Sequence, residues 1–146
     1  MTRIRVFAMT CGHLTGDFGR LMEGGEGWIR LPVPAYLIEH PKGFALFDSG
    51  MHPDCQNDPA VRVGARIAGL FEFDYRPGEE ISARLMAISC DPAKIDLLIN
   101  SHFHSTMSAA MVSSPTRRCW YSAANGKLPW SPISPCRTAS TGATSI

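Results

Sequence analysis

Hydrophobic and polar positions along the first hundred residues alternate in ways that predict a strand-rich layer with one good helix. "IRVFAM" has the β-branched and aromatic content of a first strand. "PAYLIEH", the turn "PKG" and "FALFDSG" form a predicted hairpin, with Val33, Ala35 and Leu37 on one face and Phe44 and Leu46 alternating likewise. "PAVRVGARIAGLF" fits a short helix or a loop, because its two glycines weaken the helix. "EEISARLMAI" is a stronger helix. Glu79 and Glu80 are expected in its first turn, and Ile81, Leu85 and Ile88 fall at i, i+4 and i+7. "CDP" ends it, and "KIDLLIN" is a short apolar strand. Strand, hairpin, helix and strand imply one layer of an α/β sandwich with only one side built, whose edges and open face need a partner.

Composition narrows the class. The chain has 146 residues, 45% of them hydrophobic, and a net charge of +1. That is globular rather than polyelectrolyte, so a nucleic-acid partner is not expected. No apolar run approaches the roughly 20 residues that span a bilayer, and a membrane is not expected either. The N-terminus lacks the sustained apolar core of a signal peptide and reads as mature protein. Five scattered cysteines, Cys11, Cys55, Cys90, Cys119 and Cys136, form no CxxC pair, which implies reduced thiols and a cytoplasmic setting.

The vocabulary changes abruptly at one residue. Every Asp and Glu lies before His104, and the Ser, Thr, Ala and Pro-rich stretch 105–146 contains none. The chain therefore divides into a partial domain, 1–104, and an acid-free tail, 105–146. One reading of that tail is a disordered basic segment.

The candidate chemistry sits at the junction. In "INSHFHSTMSAAM", His102 and His104 are two apart, so on an extended segment both imidazoles face one way and can reach one metal. Two imidazoles alone seldom hold zinc, which takes three or four ligands, and an isolated pair is also read as two ordinary histidines. His13, His40 and His52 are expected to face solvent or cap turns.

"LPVPAYLIEHPKGFALFDSGMHPD" followed by "DPAKIDLLINSHFH" resembles the N-terminal part of the metallo-β-lactamase superfamily, in its N-acyl homoserine lactonase branch. The resemblance covers Ile4 to His104. It is most specific at Asp48-Ser49-Gly50 and Ser101-His102-Phe103-His104, where the family has Asp-Thr/Ser-Gly and S-H-x-H-x-D-H-x-G-G-N. It implies the N-terminal half of an αβ/βα sandwich and a site for two Zn2+ ions. His102 and His104 would serve the first, and the motif's next Asp and His the second. It implies a lactone ring opened by a hydroxide shared between metals roughly 3.5–4 Å apart. Asp48 would support the site from behind; alternatively it is a turn residue bonded within its own loop. Met22, Trp28, Phe71 and Phe73 would line an acyl-chain groove; alternatively they only pack.

The motif breaks after His104: Thr106 and Met107 stand where the family has Asp and His. The genetic code accounts for this. TCG ACC ATG TCG GCG GCA ATG GTG AGC TCC is one codon set for "STMSAAMVSS". With a T restored in front it regroups as TTC GAC CAT GTC GGC GGC AAT GGT GAG CTC, which reads F-D-H-V-G-G-N-G-E-L. "PTRRCWYSAANGK" continues as P-N-A-P-V-L-V-Q-R-R-E-W-E. Met111-Val112 admits only glycine at its step, and Trp120-Tyr121 only valine. Loss of a single base explains the broken motif, the acid-free tail and the early end together. The family reading is thus a zinc hydrolase acting on a small-molecule lactone, in quorum quenching. The chain as written is expected to be unstable, to bind zinc weakly and to lack activity. Other readings are a glyoxalase II-like thioesterase of the same superfamily, a non-enzymatic short protein whose tail binds a partner, and a decayed gene.

Overall fold

The computed structural model describes residues 3–101, together with the backbone of 118–121 and 131–133. His102, His104 and nearly all of the tail lie outside the described residues.

Among the described residues one mixed sheet has the strand order β4 (Phe71–Asp74), β1 (Arg5–Asp17), β2 (Trp28–His40), β3 (Gly43–Phe47), β5 (Ile95–Asn100), β6 (Arg118–Tyr121), β7 (Ser131–Ile133). β1 (Arg5–Asp17) and β2 (Trp28–His40) make a long antiparallel hairpin, and β3 (Gly43–Phe47) returns beside β2. β1 runs well past the expected "IRVFAM". Its register slips between Thr10 and His13, where Gly12 has a φ of 83°, and this bulge lets the strand bend and continue. The β2–β3 turn is Pro41-Lys42, and the His40 ring nitrogen Nδ1 accepts the Lys42 N–H at 3.1 Å.

The crossover from β3 to the parallel strand β5 (Ile95–Asn100) carries α1 (Pro59–Val63), α2 (Ala65–Ala68), β4 (Phe71–Asp74) and α3 (Ile81–Ala87). The predicted helix-or-loop around residue 64 is two short helices broken at Gly64, followed by the edge strand β4 against β1. α3 starts later than its sequence suggests. Glu80 is its N-cap residue and Glu79 precedes it, so neither acid lies in the first turn. Glu79 instead accepts from Arg84 Nη2 at 3.1 Å and from the Arg76 N–H at 2.9 Å. Ile88 is the C-cap and is exposed, because Ser89 follows with a φ of 61° and turns the chain away.

The two faces of the sheet are unequal. α3 covers one, where Phe7, Leu37, Leu46 and Leu98 stand in a row across β1, β2, β3 and β5. Met9, Ala35, Ile81, Leu85 and Ile95 complete that core, with the alternation predicted for β2 and β3. The other face carries two parallel rows. One is Val6, Ile38, Ala45, Leu97 and the other is Ala8, Tyr36, Phe47, Ile99. None of these eight is buried, and Val6 is 62% exposed. A second cluster, Val33, Met51, Cys55, Val63 and Tyr75, joins the far half of the hairpin to the loop after β3.

Among the described residues, no helix is long and apolar enough to cross a membrane.

Candidate metal-site scaffold

β3 and β5 lie side by side and end together, with Phe47 opposite Ile99. Their last rung is the Asp48 N–H donating to the Ile99 carbonyl at 2.8 Å. Asp48 then turns into the left-handed region, with a φ of 59°. Few residues other than glycine adopt this, and Asp is among those that do so most readily. The turn aims the Asp48 carboxylate across at the end of β5. Oδ1 accepts the Ser101 backbone N–H at 2.8 Å, and the Ser101 hydroxyl lies 3.0 Å from Oδ1 and 2.9 Å from Oδ2. Asp48 is therefore not a turn residue bonded within its own loop. It is buried and clamps a residue 53 positions away.

The chain behind Asp48 is packed tightly enough to hold that turn. Ser49 and Met51 are fully buried. Gly50, with a φ of 68°, leaves no room for a side chain, since a Cβ there would stand 2.6 Å from Cys11 Cβ. The buried Tyr75 hydroxyl donates to the Met51 carbonyl at 2.9 Å. Burial raises the Tyr75 phenol well above its ordinary value, and it pushes the Cys11 thiol up to about 11, so both stay protonated. His52 caps the next turn, with Nδ1 accepting the Asp54 N–H at 3.1 Å. It is buried rather than solvent-facing. Burial, followed by the charge of Arg62, lowers its pKa, in keeping with an unprotonated Nδ1 acceptor.

At the other strand end, Asn100 is 3% exposed, and its Oδ1 is a buried acceptor that no donor among the described residues reaches. The sequence signal for it is a carboxamide closing the apolar run "IDLLIN".

Of the other residues singled out, Trp28 is opposite Asp17 and is 69% exposed, and Met22 is also exposed. Phe71 is opposite Gly16, where its ring occupies the space a side chain would need. Phe73, opposite Leu14, packs on the Met51–Tyr75 cluster. These three strands bring Trp28 and Phe71 to either side of the outer half of β1, away from the clamp at the β3 and β5 ends. His102 and His104 follow Ser101 directly in sequence but lie outside the described residues.

No cluster of three or more His, Cys, Asp or Glu suited to a metal occurs among the described residues. A strand end held by the Asp48 carboxylate directly precedes His102 and His104 in sequence. Those features suit a metal that takes imidazole nitrogen.

Comparison with known proteins places the chain. Residues 28–105 match the Metallo-beta-lactamase superfamily. The chain belongs to that superfamily. It is 28% identical over 117 residues to N-acyl homoserine lactonase AttM of Azorhizobium caulinodans, covering 79% of this chain and 44% of that protein. The AttM protein of Agrobacterium fabrum is 26% identical over the same shares. This chain thus spans less than half the length of these relatives. Among solved structures it is similar to an N-acyl homoserine lactone hydrolase with N-hexanoyl-L-homoserine bound at its catalytic metal center. The TM-score is 0.66 and the identity 22%, over 80% of this chain and 48% of the other. A B. thuringiensis AiiA variant with N-decanoyl-L-homoserine bound gives the same values. These likenesses establish the fold: the N-terminal part of a metallo-β-lactamase domain.

Proposed function

We propose that this chain is the N-terminal half of a zinc-dependent hydrolase that opens the lactone ring of N-acyl homoserine lactones, and that residues 105–146 are that enzyme's next segment read one base out of frame. The observation that carries the reading is the Asp48–Ser101 clamp. It fixes the end of β5 immediately ahead of His102 and His104, in a chain whose relatives bear the lactonase name.

His102 and His104 would hold one zinc, with Asp48 positioning the strand end that delivers them. Zinc bound there supplies Lewis acidity and water activated near neutral pH. Met22, Trp28, Phe71 and Phe73 sit on and beside the β1–β2 hairpin, where apolar side chains would meet an acyl chain. Reduced, buried Cys11, Cys55 and Cys90 suit the cytoplasm.

Three observations support the shifted frame. The family match stops at residue 105, one past the second histidine. No His, Asp or Glu follows His104. β6 (Arg118–Tyr121) lies parallel to β5 where the shifted reading gives P-V-L-V. Its last two residues are fixed by the code: Cys119-Trp120 admits only leucine and Trp120-Tyr121 only valine. As written, the chain offers zinc two ligands of the three or four it takes, so it binds zinc weakly and does not turn over.

The test is a pair of proteins. The chain as written, supplied with zinc and N-hexanoyl homoserine lactone, is expected to release no acid in a pH-stat. The gene with one T inserted before the Ser105 codon is expected to give a longer product with zinc-dependent ring opening. Turnover by the chain as written, or an inserted frame encoding no such product, overturns the proposal.

A further inference from the structure

α3 covers its face of the sheet only in part. The helix ends at Ala87, and Ser89, with a φ of 61°, turns the chain away. Two rows of that face run on past the helix end. One is Phe7 opposite Leu37, and the next is Arg5, Glu39 and Phe44, side by side on β1, β2 and β3. A cavity of about 330 Å³ opens over them, walled by Ile88, Cys90 and Lys94. Its size is that of a small-molecule site. It stands where β3 and β5 begin, with Phe44 opposite Ile95, whereas the Asp48–Ser101 clamp stands where they end. The cavity is therefore distinct from the clamp, and it lies on the opposite side of the sheet from the open apolar rows.

The lining divides by chemistry. Leu37 is buried, Phe7 and Phe44 are half-buried, and Ile88 closes the apolar part at the helix end. Three charged groups line the rest. Arg5 Nη2 is 2.6 Å from Glu39 Oε2, and the guanidinium lies over the Phe7 ring, 5.5 Å from its centre. Those two charges cancel and hold each other in place. Lys94 is the third. It is exposed and makes no ion pair among the described residues. Asp91, on the same turn, has Oδ1 engaged by the Ala93 N–H. One uncompensated positive charge thus stands at the mouth of an apolar chamber. A ligand that meets both is apolar over most of its length and carries one negative charge at an end.

We propose that this cavity binds an apolar monocarboxylate of the fatty-acid type, with its hydrocarbon on Phe7, Leu37, Phe44 and Ile88 and its carboxylate at Lys94. The site is independent of zinc and of the lactonase reading.

The test uses the full chain with decanoate as the probe. Binding is followed by equilibrium dialysis, and alkylation of the Cys90 thiol by iodoacetamide is located by peptide mass. Cys90 is on the cavity wall and in neither open row, so its protection separates this site from adsorption to exposed apolar surface. Decanoate is expected to bind saturably and to protect Cys90 over the same concentration range. Lys94→Glu is expected to weaken that protection about fivefold, the effect of one exposed ion pair. Decyltrimethylammonium, with the same chain and the opposite charge, is expected to protect at least as weakly. Ile88→Glu, which puts a charge in the apolar wall, is expected to abolish protection. Both substituted residues are exposed, and unchanged far-ultraviolet dichroism shows that the fold survives. Decanoate that does not bind, or that binds without protecting Cys90, overturns the site. Equal protection by the anion and the cation, unchanged in Lys94→Glu, overturns recognition of the carboxylate.

Discussion

Asp48 and Ser101 are 53 residues apart, and one carboxylate accepts both the backbone N–H and the hydroxyl of Ser101, so the ends of two parallel strands are tied together. The left-handed turn at Asp48 and the absence of space at Gly50 are both needed for the carboxylate to point across rather than outward. Ser101 is the last described residue before the two histidines. The position from which they start is therefore set by β3 and the loop behind it.

Asp48→Ala is expected to destabilise the chain by about 1–3 kcal/mol, because it strands the Ser101 donors. Asp48→Asn tolerates the same turn and keeps one acceptor oxygen, so it should cost less. Ser101→Ala loses the hydroxyl contacts but keeps the backbone bond. Urea unfolding of both alanine variants and the double variant checks the pairing. The double variant should fall short of the sum of the two, since the bonds they remove are shared. Simple additivity would mean the clamp contributes nothing as a pair.

Gly50→Ala combines two penalties. A Cβ would meet Cys11 Cβ at 2.6 Å, and the φ of 68° is unfavourable for alanine. Together they predict a loss of roughly 3 kcal/mol. Adding Cys11→Ala should recover little, because the nearest atom is the Cβ that alanine retains. Full recovery in that double variant would show the sulfur, rather than the backbone approach, to be the obstacle.

What the sequence disclosed and what it concealed follow from the range of the forces involved. Strand alternation is local, so the pattern alone puts Val33, Ala35 and Leu37 on one face and Phe44 and Leu46 likewise; four of the five are buried, and Phe44 is half-buried against the same core. The extent of β1 was hidden because a glycine bulge at Gly12 looks like a strand end. Ile88 fitted the helical period, but the left-handed Ser89 ends the helix first. Asp48 stands out only through the family resemblance, and no local pattern reveals that its partner is Ser101. Nothing local marks Asn100, because an unmet hydrogen bond is a property of the assembled fold.

The thiol of Cys11 supplies a pH prediction. Its pKa is raised from 9.0 to about 11, chiefly by burial. A raised folded value means that the unfolded chain ionises first as pH climbs. Stability from this group is complete below about pH 9 and is lost progressively up to about pH 11, by roughly 2–3 kcal/mol in all. Cys11→Ala removes that dependence. Urea midpoints at pH 8 and pH 10.5 should therefore converge in the variant relative to the parent. An equal fall in both proteins would assign the alkaline loss to other groups.

The open sheet face makes the last prediction. Val6, Ile38, Ala45 and Leu97 form one row, and Ala8, Tyr36, Phe47 and Ile99 the other, with none of the eight buried. Contiguous apolar surface of this kind is normally covered. Relatives matched over 44% of their length have further chain with which to cover it. Uncovered, the face should bind a hydrophobic dye such as ANS and drive self-association that grows with concentration. Ile38→Glu with Tyr36→Lys sets charges in the middle of both rows, on side chains that point away from α3, so the core on the other face is left intact. The double variant should lose most dye binding and shift towards the monomer in sedimentation, with its far-ultraviolet dichroism unchanged. Undiminished dye binding would place the exposed apolar surface elsewhere and remove the open face as the cause of association.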